Sequence, residues 1–360
     1  MRDPGLLRWS RRLLLGTGGW LAACSTVAGR IAARADTPAA TPISTPGETP
    51  LPAALSIAPP GERRVGIGYA LWHQDDQWQR GTHKSWGTPV EGYYRSDDPA
   101  VLTRHAGVLS GAGVDFIVVD WSNDLAMDVR RAGGPATQRF IEQATVRLFD
   151  TWRTLPHAPR VVLMIGNPGA PAAVHDGSLA AKADEVHALF AADPARRGLL
   201  LGYLGRPLLL VYVNTPTPWG HSLPPWQDDR FTVRFVTGFV TQQQSLIAAP
   251  DVSRYGYWSW EDRGDPTYSV YAGHPECMTV VASWRGTGSR GRDGGRTYLG
   301  QWSDARRIGP RFVLAGTFNE WWVSEQIDPL HSKDVEPSRE LGAGTLNILR
   351  RQSALFKQGA

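Results

Sequence analysis

Acidic and indole side chains recur at the same kind of position in this 360-residue chain, the polar end of an apolar run. Asp120 precedes Trp121, Glu261 follows Trp258 and Trp260, and Glu320 precedes Trp321 and Trp322, while Trp72 and Trp284 end two further runs. Cleavage of a glycosidic bond needs an acid to protonate the leaving oxygen and a second carboxylate as nucleophile or base. Carboxylates carried on separate strands can meet that need across a shared cleft. Indole rings offer flat apolar faces and an N–H donor, which suits them to stacking on sugars. There are fifteen tryptophans, so the same rings could equally be bulky plugs closing a core. Each acid could likewise be held by a nearby arginine, as Glu261 is placed to be by Arg263. His73, Tyr212, Asn214, Arg285 and Asn319 sit at the same run ends and complete the candidate binding set.

The elements that must position these groups follow a regular alternation. Eight apolar runs appear in order: Val65–Trp72, Phe116–Trp121, Val161–Gly166, Pro207–Val213, Phe231–Thr237, Tyr255–Trp260, Met278–Trp284 and Phe312–Phe318. Several are continuous rather than alternating, which is the pattern of strands buried on both faces. Helical patterns lie between them at Pro99–Ser110, Thr137–Thr154, Ala180–Ala192, Tyr298–Arg307 and Ser338–Lys357. Segments 214–230 and 239–254 are poor helices, so that side is expected to be irregular. Eight strands interleaved with helices predict an α/β fold closed into a (β/α)8 TIM barrel, with an open doubly wound sheet as the competing arrangement. No glycine-rich phosphate loop follows a strand, which counts against the open nucleotide-binding form. In a barrel the active site lies at the carboxyl ends of the strands. That rule gathers the acids and tryptophans at one mouth.

The run Gly316-Thr317-Phe318-Asn319-Glu320-Trp321-Trp322-Val323-Ser324-Glu325-Gln326-Ile327-Asp328-Pro329 resembles the last-strand signature of the family 99 endo-α-mannosidases and the related family 71 glycoside hydrolases. Similar stretches lie upstream at 92–99, 111–121, 205–207 and 257–260, so the resemblance spans about residues 65–357. It implies a glycosidase acting on a polysaccharide or glycan. In the family pattern two glutamates stand three residues apart, one a base on the substrate's own 2-hydroxyl and the other the general acid/base. Glu320 matches the first, whereas the second falls on Val323, which transfers no proton. Glu325, Glu261 or Asp120 are the candidates to supply the missing acid. The alternative is a catalytically inactive glycan binder on the same barrel.

The start of the sequence carries a different signal. Paired Arg11 and Arg12 before a short apolar segment read as a twin-arginine export signal, and Leu21-Ala22-Ala23-Cys24 resembles a lipobox. Cys24 is therefore a candidate lipidation site that would anchor an extracytoplasmic protein to a membrane. Cleavage after Ala35 and simple secretion is the competing route. Residues 1–35 are read as the signal, the Thr/Pro-rich stretch 36–60 as a linker, and 61–360 as the barrel. The formal charge of +4 comes from the leader, whose six arginines and one acid leave 32 basic against 33 acidic residues behind. A nearly neutral mature chain gives no electrostatic case for nucleic acid. His73 with Asp75 and Asp76 lacks a second histidine at ligand spacing, so neither metal nor cofactor is expected. Cys277 reads as a buried inert thiol. The glycine-rich loop 286–295, flanked by Arg285 and carrying Arg290 and Arg292, is open to three readings: a lid, an arginine clamp on an anionic sugar, or a solvated loop. A monomer is expected.

Overall fold

The computed structural model describes residues 62–74, 78, 84–123, 134–166, 172–214, 226–237, 257–260, 268–284, 289–321 and 328–359. The leader, the linker and Cys24 lie outside them, as do Glu261, Arg285, Trp322, Val323 and Glu325. No helix among the described residues is long and apolar enough to cross a membrane.

The strands are β1 (Arg64–Tyr69), β2 (Phe116–Trp121), β3 (Arg160–Gly166), β4 (Gly202–Tyr203), β5 (Arg206–Asn214), β6 (Thr232–Thr237), β7 (Trp258–Ser259), β8 (Tyr268–Tyr271), β9 (His274–Thr279) and β10 (Phe312–Thr317). Eight of them, leaving out β4 and β8, run parallel to their neighbours in the order β7-β6-β5-β3-β2-β1-β10-β9. Each overlaps one of the eight runs expected from sequence, although β9 begins four residues before its run, Met278–Trp284, and shares only Met278 and Thr279 with it. The hydroxyl of Thr279 on β9 donates to the carbonyl of Ser259 on β7, so the two ends of the sheet meet and the barrel is nearly closed. The open doubly wound sheet is thereby set aside.

Two short hairpins were not anticipated. β4 pairs antiparallel with the start of β5, and β8 pairs antiparallel with β9. Each turns through two residues of positive φ, Leu204-Gly205 (52° and 82°) and Ala272-Gly273 (50° and 78°). That is the signature of the tight turn whose twist matches the strands it joins. Leu and Ala are poor residues at the first position, which is why the sequence concealed both hairpins.

The helices are α1 (Pro99–Gly111), α2 (Gly134–Trp152), α3 (Ala172–His175), α4 (Ser178–Val186), α5 (Arg296–Ile308) and α6 (Gly344–Gln358). Asp98 caps α1 by accepting from the Ala100 N–H at 2.8 Å, and Pro99 occupies the first turn, where its missing donor costs nothing. Residues 187–191 continue α4 as a π-helical turn. The last helix starts six residues later than its sequence pattern indicated. Ser338 is taken up in a turn, its hydroxyl accepting from the Leu341 N–H at 2.9 Å, and Gly342 stands at φ 61°.

The alternation of side chains divides the core in two. Ile117, Val119 and Trp121 of β2 face outward against the helices, with Leu148 and Phe149 of α2. Phe116 and Val118 face into the barrel, with Val162, Met164, Leu208, Leu210, Trp258 and Phe312. Gly66 and Gly68 make room on that inner side. A Cβ at Gly66 would lie 2.2 Å from the Phe116 ring, and one at Gly68 would lie 2.6 Å from the Trp260 ring. The β1 wall is thus kept thin so that a ring from the adjoining β2 and one from the end of β7 can fill the space.

Candidate functional site

The end of β10 is shaped by a bulge. Its register with β1 slips between the pairs Gly66–Leu314 and Gly68–Thr317, and Gly316 takes φ 73°, which glycine adopts without a Cβ penalty. Ala315 therefore faces the helices and Thr317 turns into the barrel, where its methyl lies 3.0 Å from the Cβ position of Gly68. Phe318 turns outward and stacks on Tyr69, with ring centroids 6.1 Å apart. Glu320 and Trp321 follow.

Asn319 clamps this turn to β1. Its side-chain oxygen accepts from the Ala70 N–H at 2.8 Å, while its amide donates to the Ala70 carbonyl at 3.0 Å and to the Tyr94 hydroxyl at 3.1 Å. Sequence alone reads Asn319 as a sugar-binding residue, but these contacts spend its side chain on fixing the turn that carries Glu320. Its own carbonyl receives His73 Nε2 at 2.7 Å. Burial pushes the His73 pKa down to about 3, so the ring is neutral and Nε2 carries the proton.

Glu320 is buried, and its Oε2 lies 3.1 Å from Nζ of Lys333 and 3.5 Å from the Thr317 hydroxyl. Lys333 is only 4% exposed, so the ammonium and the carboxylate are held together away from water. The neighbouring Asp334 fixes the backbone. Its carboxylate accepts from the N–H groups of Glu320 at 2.7 Å and Trp321 at 2.9 Å, from the Trp86 indole at 2.7 Å and from the Thr317 hydroxyl at 3.1 Å. Burial raises the Asp334 pKa above the ordinary carboxylate value, against the opposing pull of those donors and of Arg292. Glu336 closes the arrangement, receiving the Trp321 indole at 2.6 Å and the Tyr94 hydroxyl at 2.8 Å, with His105 Nε2 at 3.3 Å. So many fixed contacts hold Trp321 at φ 60°, a region that bulky residues avoid.

The tryptophans divide into different environments. Trp260 is partly buried, and its ring spans the barrel interior beside Gly68 and so at the level of Thr317. Among the described tryptophans it is the one placed in the interior at that level without being fully enclosed. Trp121 faces the wrong way for the stacking role considered for it. Its ring lies fully buried outside the barrel against Phe190, and its N–H donates to Thr145 of α2 at 2.9 Å. Trp258 is also fully buried, in the interior, with its N–H on Glu276 at 2.8 Å. Trp321 is a plug, stacked on Trp86 at 4.7 Å beneath Trp78. Trp72 is buried beside His73. Trp284 is buried too, and its backbone pairs with Arg290 at the base of the loop that follows β9. For these five rings packing or framing prevails over exposure, because an indole of this size removes more apolar surface from water when enclosed than when lining a cleft.

Asp120 belongs to the inward set of β2 and is half-buried, with its Oδ1 on the Ser122 N–H at 2.7 Å. Tyr212 packs against the interior cluster from the end of β5. Asn214 ends that strand after a register slip. The arginine-clamp reading of the glycine-rich loop fails for Arg292. It is 8% exposed, donates to the Asp334 carbonyl at 2.6 Å and to the Ser332 hydroxyl at 3.3 Å, and bonds Thr345. Burial lowers its pKa to about 10. No group of three or more histidine, cysteine or acidic side chains able to hold a metal occurs among the described residues. Cys277 is buried, and burial raises its thiol pKa.

Sequence reasoning missed Lys333, Asp334, Glu336, Trp86 and Tyr94. The available signal was the string Lys333-Asp334-Val335-Glu336 a few residues after the signature. Its charged side chains sit in a segment that carries no strand or helix pattern.

Comparison with known proteins supports the barrel. No family model matches the sequence, and no curated protein matches it. Among solved structures, the GH99 endo-α-mannosidase from Bacteroides thetaiotaomicron superposes with a TM-score of 0.54 at 15% identity, covering 82% of this chain and 98% of that one. The same enzyme in complex with bis-tris propane gives a TM-score of 0.55 at 16% identity, covering 82% and 97%. The chain therefore carries a barrel of the GH99 type, the fold its last-strand motif implied.

Proposed function

We propose that this protein is a glycoside hydrolase acting on a polysaccharide or glycan outside the cytoplasm, with Glu320 as its central carboxylate. The observation that carries the reading is the position of Glu320, directly after the last barrel strand, with its carboxylate beside the inward-turned Thr317 and on the same side of β1 as Trp260. The Lys333 ammonium stabilises the anionic form of Glu320. An anion there fits the base role that the family resemblance implies, in which the carboxylate takes the proton of the sugar's 2-hydroxyl as that oxygen attacks the anomeric carbon. The departing oxygen then needs a proton from a second acid. Asp120 is the candidate whose inward position is described, and Glu325 and Glu261 are the others. Trp260, Tyr212 and Asp120 would line the sugar subsite.

The second reading is a glycan-binding protein without turnover, favoured by Val323 at the family's second glutamate. Glu320→Gln separates the two. Assayed on a glycan panel, a hydrolase loses about 10²–10⁴-fold in rate and keeps its affinity. Binding without turnover in the wild type supports the second reading, and absence of both defeats each. Bis-tris propane, a polyhydroxylated amine, is a simple first ligand for calorimetry with both forms. We further propose export with lipidation at Cys24. Retention of the protein in the membrane fraction, lost in Cys24→Ala, supports the anchor, and an unchanged distribution removes it.

A further inference from the structure

We infer that Lys333 is a positioning residue for Glu320, holding it as the anion so that it acts as a base or nucleophile and not as a proton donor. This rests on the reading of Glu320 as the central carboxylate. The two side chains come from separate segments, one just after β10 and one thirteen residues further on. Both are buried, and they meet at 3.1 Å. Burying a lysine is costly unless an anion compensates the lost hydration. Glu320 supplies such an anion at contact distance, while two neighbouring acids are turned to other partners. Asp334, its neighbour in sequence, directs its carboxylate to the backbone of Glu320 and Trp321 and to Trp86, with Arg292 held on its carbonyl from behind. Glu336 is occupied by Trp321, Tyr94 and His105 on the far side of the turn. In the segment after β1, His73 is neutral and bonded to the Asn319 carbonyl. Lys333 is thus a cation in direct contact with Glu320.

The arrangement also has a consequence for the chemistry. With Glu320 committed as the anion, the proton for the leaving group must come from another residue or from a substrate whose leaving group needs none. Lys333 divides the labour between carboxylates by charge, as paired catalytic acids and bases are divided in other hydrolases.

The test follows the Glu320 carboxyl carbon by NMR in glutamate-labelled protein, assigned by its loss in Glu320→Gln. In Lys333→Met its titration midpoint should rise by about one pH unit or more. In Lys333→Arg, which keeps the charge, it should stay near the wild-type position. Lys333→Gln, closer in polarity, serves if the methionine variant does not fold, and the same rise is expected. A midpoint that does not move when the charge is removed overturns the inference. With a glycan substrate in hand, the acid limb of kcat/KM should move upward by the same amount in the neutral variants, which a purely structural lysine would not cause. A moved midpoint without turnover on any glycan refutes the hydrolase reading while leaving the pairing. An unmoved midpoint in an active enzyme refutes the pairing alone.

Discussion

Two buried ion pairs, Lys333–Glu320 after β10 and Arg234–Glu276 among the barrel's interior side chains, are built on opposite principles. In the second, the Arg234 guanidinium grips both oxygens of Glu276 at 2.7–2.9 Å, while the Tyr203 hydroxyl and the Trp258 indole each add a bond of 2.8 Å. Arg234 also lies over the rings of Tyr203 and Tyr271. A planar fork on a carboxylate fixes direction as well as charge. In the first pair a lysine sets a single point charge against one oxygen, with the Thr317 hydroxyl on that same oxygen at 3.5 Å. A point charge sets the ionisation of its partner without fixing its rotation. The interior pair therefore serves architecture, and the pair after β10 suits the proton exchange proposed for Glu320. Lys and Arg are the residues that make this difference.

The largest effect expected from breaking that contrast is on stability. Glu276→Ala leaves the Arg234 charge, the Tyr203 hydroxyl and the Trp258 N–H without their acceptor in a buried setting. Removing one member of a buried pair costs about 3–5 kcal/mol. Urea unfolding should show the midpoint falling accordingly, with partial recovery when Arg234 is replaced by methionine in the same chain, since the Tyr203 and Trp258 donors still lack Glu276. A cost under about 1 kcal/mol would show that the interior network contributes no more than a surface pair.

A smaller effect concerns pH and the neutral histidine beside the site. The His73 pKa is held down to about 3 by burial, well below its ordinary 6.5. The unfolded chain therefore takes up a proton first as the pH falls through 6.5, and the folded chain follows only near 3. Stability from this residue is present above 6.5 and is lost progressively between those limits, by up to about 1.4 kcal/mol per pH unit. His73→Gln should flatten that part of the stability profile. An equally steep profile in the variant would place the proton uptake elsewhere.

Much of the architecture could be read from the residues, and particular elements show why the rest could not. The β2 run Phe116–Trp121 is apolar on both faces, so its strand was evident, and the helix at Pro99 announced itself through Asp98. Glu320 stood out because the motif around it is continuous in sequence. The side chains that hold it did not, because their partnership is spatial. Lys333 and Asp334 meet Glu320 only after the chain turns back beside Thr317, and nothing in their own stretch marks a return. The tryptophans misled for a related reason. Position at a strand end fixes which layer a ring occupies, but strand parity decides its side. Trp121 is one residue beyond inward-facing Asp120 and so lies outside the barrel. Trp260 is two residues beyond inward-facing Trp258 and so lies inside.

The finest distinction between the deeper interior and the mouth rests on two glycines of β1. At Gly66 an added methyl would fall 2.2 Å from the Phe116 ring, which Phe312 closes from one side. At Gly68 the obstacle is the end of the Trp260 ring at 2.6 Å, with the Thr317 methyl at 3.0 Å. Phe116 is fully buried, so Gly66→Ala has little means of relief. Trp260 is partly exposed, so its ring can tilt toward solvent, and Gly68→Ala should cost about 1 kcal/mol, the low end for overpacking. That tilt removes the aromatic face from its place beside Thr317. Glycan affinity should therefore fall in Gly68→Ala while the unfolding midpoint changes little, measured by calorimetry and urea titration on the same samples. Equal losses of stability in the two alanine variants would mean that Trp260 is as firmly packed as Phe116, and its role as a sugar platform would fall.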